Sequence, residues 1–179
     1  MSNLKYENLV LKCDPEWLIK SQPHLYFRGA SQIPGAGYNV GYGYIYEPIV
    51  MDPNPHRHWN PECLIFSSST LKAKDWDADI EIQIGVGDDM EIYKVDEPMT
   101  FYIPTGVWHC PINFKRVEKP VWFQPACFIG MFGATYLMPD GTEKDNYFNG
   151  TIMCVLGEDK KCDCCRKCLT RSWEKVSQE

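Results

Sequence analysis

Through the middle of the chain, hydrophobic and polar positions alternate with a period of two. Tyrosines occupy positions 42, 44 and 46 of YNVGYGYIYEP (residues 38–48), and isoleucines alternate with polar residues in DIEIQIG from Asp79. MEIYKV from Met90, MTFYIP from Met99 and VWFQPACFIG from Val121 are further short apolar runs. Each predicts a strand, because successive side chains on a strand point to opposite faces. Gly85 and Gly87, Asp96 to Pro98, and Lys119 to Pro120 supply turns between them. No long amphipathic helical pattern intervenes, which argues against crossover helices and a parallel sheet. The expected fold is therefore all-β and mainly antiparallel, a sandwich or a barrel. One short helix is predicted at DPEWLIK (residues 14–20), where Asp14 caps and Pro15 fits the first turn. The resulting organisation is a lead-in over residues 1–37, one β domain over 38–157 and a charged, cysteine-rich tail over 158–179.

At 179 residues the chain is long enough for a real core. Its formal charge of −6 argues against a nucleic-acid or anionic-membrane partner, either of which requires clustered Lys and Arg. No apolar run approaches the roughly 18 residues of a spanning helix, and MSNLKYENLVLKC lacks the apolar centre of a signal peptide. The expected compartment is cytoplasmic, so the nine cysteines should be reduced thiols. Four of them crowd into CDCCRKC, as Cys162, Cys164, Cys165 and Cys168. Metal binding, redox chemistry and a tail with no dedicated role are all open readings of that cluster.

The chain has only four histidines, and two of them fall in HRHWNPE (residues 56–62). On a strand His56 and His58 project to one side while Arg57 points to the other. Glu62 lies an even number of positions beyond His58 and returns to the same face if the strand continues past Pro61. A further ligand must come from another strand, and His109, after the tight turn of Pro104, Thr105 and Gly106, is the candidate.

These residues resemble the cupin family. Its first motif, HxH followed after three residues by Glu, is matched by His56, His58 and Glu62; its second is matched by Pro104, Gly106, His109 and Asn113. The chain departs from the family at Val50, Ser69 and Pro98, where glycines usually open or close the motifs. The resemblance spans roughly residues 40–130. It implies a jelly-roll β-barrel, commonly dimeric, holding a metal on His56, His58, Glu62 and His109. Imidazole and carboxylate ligands without a thiolate favour iron(II) or manganese(II), with zinc or nickel as alternatives.

Two residues are candidate proton carriers: Glu81, if the polar face of its strand lines the barrel, and Tyr102, beside the second motif. Cys63 and Cys110 each adjoin a ligand in sequence, and strand alternation puts them on the opposite face. The functional expectation is a metal-dependent enzyme of isomerase, lyase or dioxygenase type acting on a small keto acid, hydroxy acid or sugar derivative. The alternatives are a non-catalytic ligand-binding module and a metal-handling protein centred on the tail. A homodimer is expected, with Gly41 to Tyr46 as the candidate edge strand.

Overall fold

The computed structural model describes residues 6, 9–10, 25–27, 29, 33, 36–70, 72–128 and 133–147. The helix expected over residues 14–20 and the cysteine tail lie outside them. The strands are β1 (Leu25–Phe27), β2 (Asn39–Ile45), β3 (Ile49–Met51), β4 (His56–His58), β5 (Glu62–Ser68) and β6 (Ala78–Ile84). They continue as β7 (Glu91–Val95), β8 (Met99–Ile103), β9 (His109–Val117), β10 (Val121–Cys127), β11 (Gly133–Leu137) and β12 (Glu143–Tyr147). Every pairing among them is antiparallel.

Two sheets form. One has the order β1-β2-β10-β5-β8; the other runs β12-β11-β4-β9-β6-β7, with β3 also paired to β9. All five strands predicted from the two-residue period are present, each within a residue or so of its expected start. The first strand falls inside the stretch read as a lead-in, because LYF is too short to show a period.

The tyrosine strand is not an edge. β2 pairs with β1 on one side and with β10 on the other, so the expectation that Gly41 to Tyr46 offers an unpaired edge is corrected. Its tyrosines lie on the outward face, where Tyr44 rests against Trp122 with ring centroids 5.1 Å apart.

The inward rows of three strands set the plan of the interior. On β5 the inward residues are Glu62, Leu64, Phe66 and Ser68; on β9 they include His109, Ile112 and Phe114; on β10 they run from Cys127 back to Phe123 and Val121. Each row begins at a polar or sulfur-bearing residue and continues into apolar ones, the β5 row closing on Ser68. The aromatic centre, where Phe66 stacks on Phe123 at 5.0 Å and approaches Phe114 at 6.2 Å, is joined by Ile80 and Ile82 from β6. The polar ends of the rows meet at the other end of the same interior. No helix among the described residues is long and apolar enough to cross a membrane.

Candidate metal centre

His56, His58, Glu62 and His109 converge at that polar end. One ligand atom from each lies within 4.8 Å of the others, and all four residues are buried. His56 stands directly opposite His109 in the β4–β9 register, and His58, two residues on, projects to the same side. Glu62 arrives differently from the sequence expectation. The chain leaves one sheet after His58 and enters the other at β5, so Glu62 faces the three imidazoles from the opposite sheet rather than from a continued strand. The turn of the second motif ties the two halves: Gly106, in the left-handed conformation (φ 80°), donates its N–H to the His58 carbonyl oxygen at 2.9 Å.

The imidazole tautomers follow from their backbone partners. His58 Nδ1 lies 2.9 Å from the Gly133 oxygen and His109 Nδ1 lies 3.0 Å from the Val107 oxygen. A carbonyl oxygen only accepts, so both Nδ1 atoms carry the proton and both Nε2 atoms present a lone pair. Those lone pairs approach Glu62 Oε2, at 3.4 Å from His58 and 3.1 Å from His109. His56 Nδ1 is buried without a hydrogen-bond partner. Neutral imidazole nitrogens and a carboxylate oxygen, all acceptors, are thus crowded together out of water. That arrangement is repulsive unless a cation or a proton sits among them, so the donor set fits a divalent ion.

Without a cation, protons partly fill this role. Burial pulls the His58 imidazole down, but the Glu62 charge and hydrogen bonds outweigh it, leaving His58 above the usual histidine range. Burial likewise pushes the Glu62 carboxyl up, yet His58 and His109 together hold it well below the usual carboxylate range. His56 is held well below, by burial first and then by His109 and His58. In metal-free protein the stability from the His58–Glu62 pair should be full below the unfolded histidine value and fade as pH rises through the raised one. On the acid side it should persist above the unfolded Glu value and fade as pH falls through the depressed one. Glu62→Gln should therefore lower the His58 titration midpoint in metal-free protein, measured from imidazole NMR shifts. An unchanged midpoint would remove Glu62 as the source of the raised value.

Beyond the four, several groups crowd the centre. Cys127 Sγ donates to Glu62 Oε1 at 3.4 Å, leaving Oε2 directed at the histidines. Tyr136 packs against His56, with ring centroids 5.1 Å apart. Asp52, His56 and Cys110 form a second group whose ligand atoms also lie within 4.8 Å of one another. Cys110 corrects the sequence reading, which places it opposite His109. Both are buried, because Cys110 takes a left-handed φ of 71° that breaks the alternation and turns its thiol inward. Burial, then the Asp52 and Glu62 charges, push that thiol well above its usual range. Cys63 does lie on the outward face, and Cys63, Cys110 and Cys127 are all free thiols.

The two candidate proton carriers are not part of this cluster. On β6 the apolar row, Ile80 and Ile82, fills the interior, so Glu81 points outward, where it pairs with Lys94 across the strand register and forms an ion pair with Lys115. Tyr102 lies between the inward Phe101 and Ile103 and is 62% exposed. Asn113 is also on an outward row, between Ile112 and Phe114. Trp108 stacks under Arg57, 4.5 Å from the guanidinium carbon. Trp59 covers Gly133, where an added Cβ would come within 2.7 Å of the indole. Gly133→Ala should push the partly exposed Trp59 indole off β11, loosen the strand end that carries the Gly133–His58 hydrogen bond and weaken divalent-ion affinity by up to about tenfold, the low end for an outer-shell partner. Unchanged affinity by calorimetric titration would show that the strand absorbs the methyl group without moving His58.

The two motifs meet inside two facing antiparallel sheets, with the first motif's histidines and glutamate closing on the second motif's histidine. The chain has the cupin fold. No family model matches the chain, and no curated protein sequence matches it. Solved structures do. Peruvianin-I, a cysteine peptidase from Thevetia peruviana latex, is 10% identical, with a TM-score of 0.51 over 74% of this chain and 78% of that one. Procruciferin, an 11S globulin from Brassica napus, is 11% identical, with a TM-score of 0.48 over 71% of this chain and 32% of its own. A tryptophan-to-tyrosine variant of the oxalate decarboxylase of Bacillus subtilis is 15% identical, with a TM-score of 0.43 over 60% of this chain. The chain spans 25% of that decarboxylase. At these identities the likeness is one of fold, and the names describe those proteins.

Proposed function

We propose that this cupin is a metal-dependent enzyme acting on a small oxygenated molecule, a keto or hydroxy acid or a sugar derivative, in the manner of an isomerase, lyase or dioxygenase, and that it works as a homodimer. The observation that carries the reading is the convergence of His58 Nε2 and His109 Nε2, with their Nδ1 atoms committed to backbone carbonyls, on a buried glutamate oxygen. The absence of a thiolate among the four ligands favours iron(II) or manganese(II) over zinc or nickel. When bound, such an ion polarises a carbonyl or hydroxyl of a substrate that supplies two oxygens.

The chain's own contribution is to hold the ligands and to move a proton. With Glu81 and Tyr102 on the outer faces, Asp52 takes the proton-carrying role, because its carboxylate lies beside His56 at the centre. Tyr136 and Cys110 wall the same side and keep water away from the imidazoles. A second reading, a binding cupin without turnover, is favoured by the outward placement of both sequence-derived proton carriers.

A screen of keto acids, hydroxy acids and sugars against the cobalt(II)- and manganese(II)-loaded chain separates the two. The enzyme reading predicts turnover abolished by a chelator. It also predicts that Asp52→Asn keeps its metal but loses about 10²-fold in rate, the lower bound for a general acid or base. A shift in the cobalt spectrum without turnover would support the binding reading, and neither response would sink the enzyme.

A further inference from the structure

One inward row of the β1-β2-β10-β5-β8 sheet runs through Asn39, Cys127, Glu62 and Ile103, each opposite the next in the strand register. All four are buried. Directly opposed residues on one face of a sheet bring their side chains together, so the Cys127 thiol meets the Glu62 carboxylate, with Sγ 3.4 Å from Oε1. The histidines approach the other oxygen: His58 Nε2 lies 3.4 Å and His109 Nε2 3.1 Å from Oε2. The backbone fixes this pairing from the next position along. Pro61, just before Glu62, accepts from the N–H of Phe128, just after Cys127, at 3.3 Å, and from Asn60 Nδ2 at 3.1 Å.

We propose that Cys127 is a positioning residue: its thiol holds Oε1 of Glu62 and so limits that carboxylate to one oxygen toward the metal. The inference rests on the metal reading above and adds what sets the binding mode of its acidic ligand. A cysteine thiol, with an ordinary pKa of about 8.5, keeps its proton at neutral pH and can donate it to a carboxylate. Cys127 reaches Glu62 from within its own sheet and the imidazoles reach it from the facing one, so the two oxygens are divided between them.

A carboxylate ligates a cation with one oxygen or with both. Held at Oε1, Glu62 fills one coordination position; released, it can fill two. The extra position is one that a ligand donating two oxygens needs. The thiol therefore keeps room at the metal for such a ligand, although it touches neither the metal nor the ligand itself.

The test loads the full chain with saturating cobalt(II), as wild type, Cys127→Ala and Cys127→Ser, and titrates each with acetohydroxamate, a two-oxygen chelator, while bound cobalt is assayed in parallel. Cys127→Ala should keep its cobalt, alter the cobalt absorption spectrum and raise the acetohydroxamate dissociation constant about tenfold, the low end for an outer-shell partner. Cys127→Ser, which puts back a hydrogen-bond donor, should restore both to the wild-type values. A loss of packing alone would not be repaired by the small, polar serine. In metal-free chain the S–H infrared stretch of Cys127, identified by its loss in Cys127→Ala, should rise in frequency in Glu62→Gln, because an amide accepts less strongly than a carboxylate.

Cobalt bound with an unchanged spectrum and chelator constant in Cys127→Ala would overturn the positioning role and leave the metal reading standing. A serine variant that behaves like the alanine one would overturn it as well, reducing Cys127 to packing. So would a cobalt–thiolate charge-transfer band lost in both variants, which would make the sulfur a ligand. An S–H band indifferent to Glu62→Gln would remove the hydrogen bond on which the role rests. A wild type that takes up no cobalt would end the metal reading, and this inference with it.

Discussion

Alanine at His109 should cost the centre at least about 100-fold in divalent-ion affinity, more than the 10–100-fold typical of losing an outer-shell partner. The residue is fully buried, its Nδ1 is held by Val107, and its Nε2 is 3.1 Å from Glu62 Oε2. Removing it deletes a ligand and takes from Glu62 one of the two imidazoles that keep its carboxyl ionised. His56→Ala and His58→Ala should act in the same direction, whereas Glu81→Ala should leave metal content at the wild-type level, since that carboxylate is paired with Lys115 on the outside. Metal analysis after dialysis reads all four variants. Wild-type occupancy in all three histidine variants would end the assignment.

Phe114→Ala should produce the largest loss of stability. Its side chain is fully buried and its ring meets Phe66 at 6.2 Å and Phe123 at 5.9 Å, so both sheets lose contact at once. Truncating a core phenylalanine costs about 3–5 kcal/mol, from lost transfer energy and the cavity left behind. For a chain of this size that is a fall of roughly 10 °C in melting temperature. Circular dichroism on metal-free protein reads the packing alone. A shift of only a degree or two would mean that the aromatic centre is not shared between the sheets.

The sequence is informative where a side-chain period meets a chemical motif. His56, His58, Glu62 and His109 are all legible from spacing and from their resemblance to cupins, and the structure brings the four together. The route of Glu62 is not legible, because alternation is defined only within one strand and the chain changes sheets between His58 and Glu62. Cys110 escapes the pattern for a related reason: a single left-handed residue resets the alternation, and a cysteine gives no sign that it will adopt that conformation. For Glu81 the pattern offers two faces without saying which is inside. The isoleucine row decides it, since burying Ile80 and Ile82 outweighs any advantage of turning the charged row inward. The tyrosine strand looks like an edge because its partner β1 is three residues long and shows no pattern of its own. Asp52, absent from the sequence candidates, has only its position four residues before His56 to suggest it.

X-ray absorption at the metal edge of the purified full chain, loaded with manganese(II), tests the metal centre most directly. The account predicts about one ion per chain, surrounded by nitrogen and oxygen with the outer scattering of imidazole rings, and the signal should vanish in His56→Ala. A chain that takes up no ion, or an ion held mainly by sulfur and indifferent to His56, would contradict it.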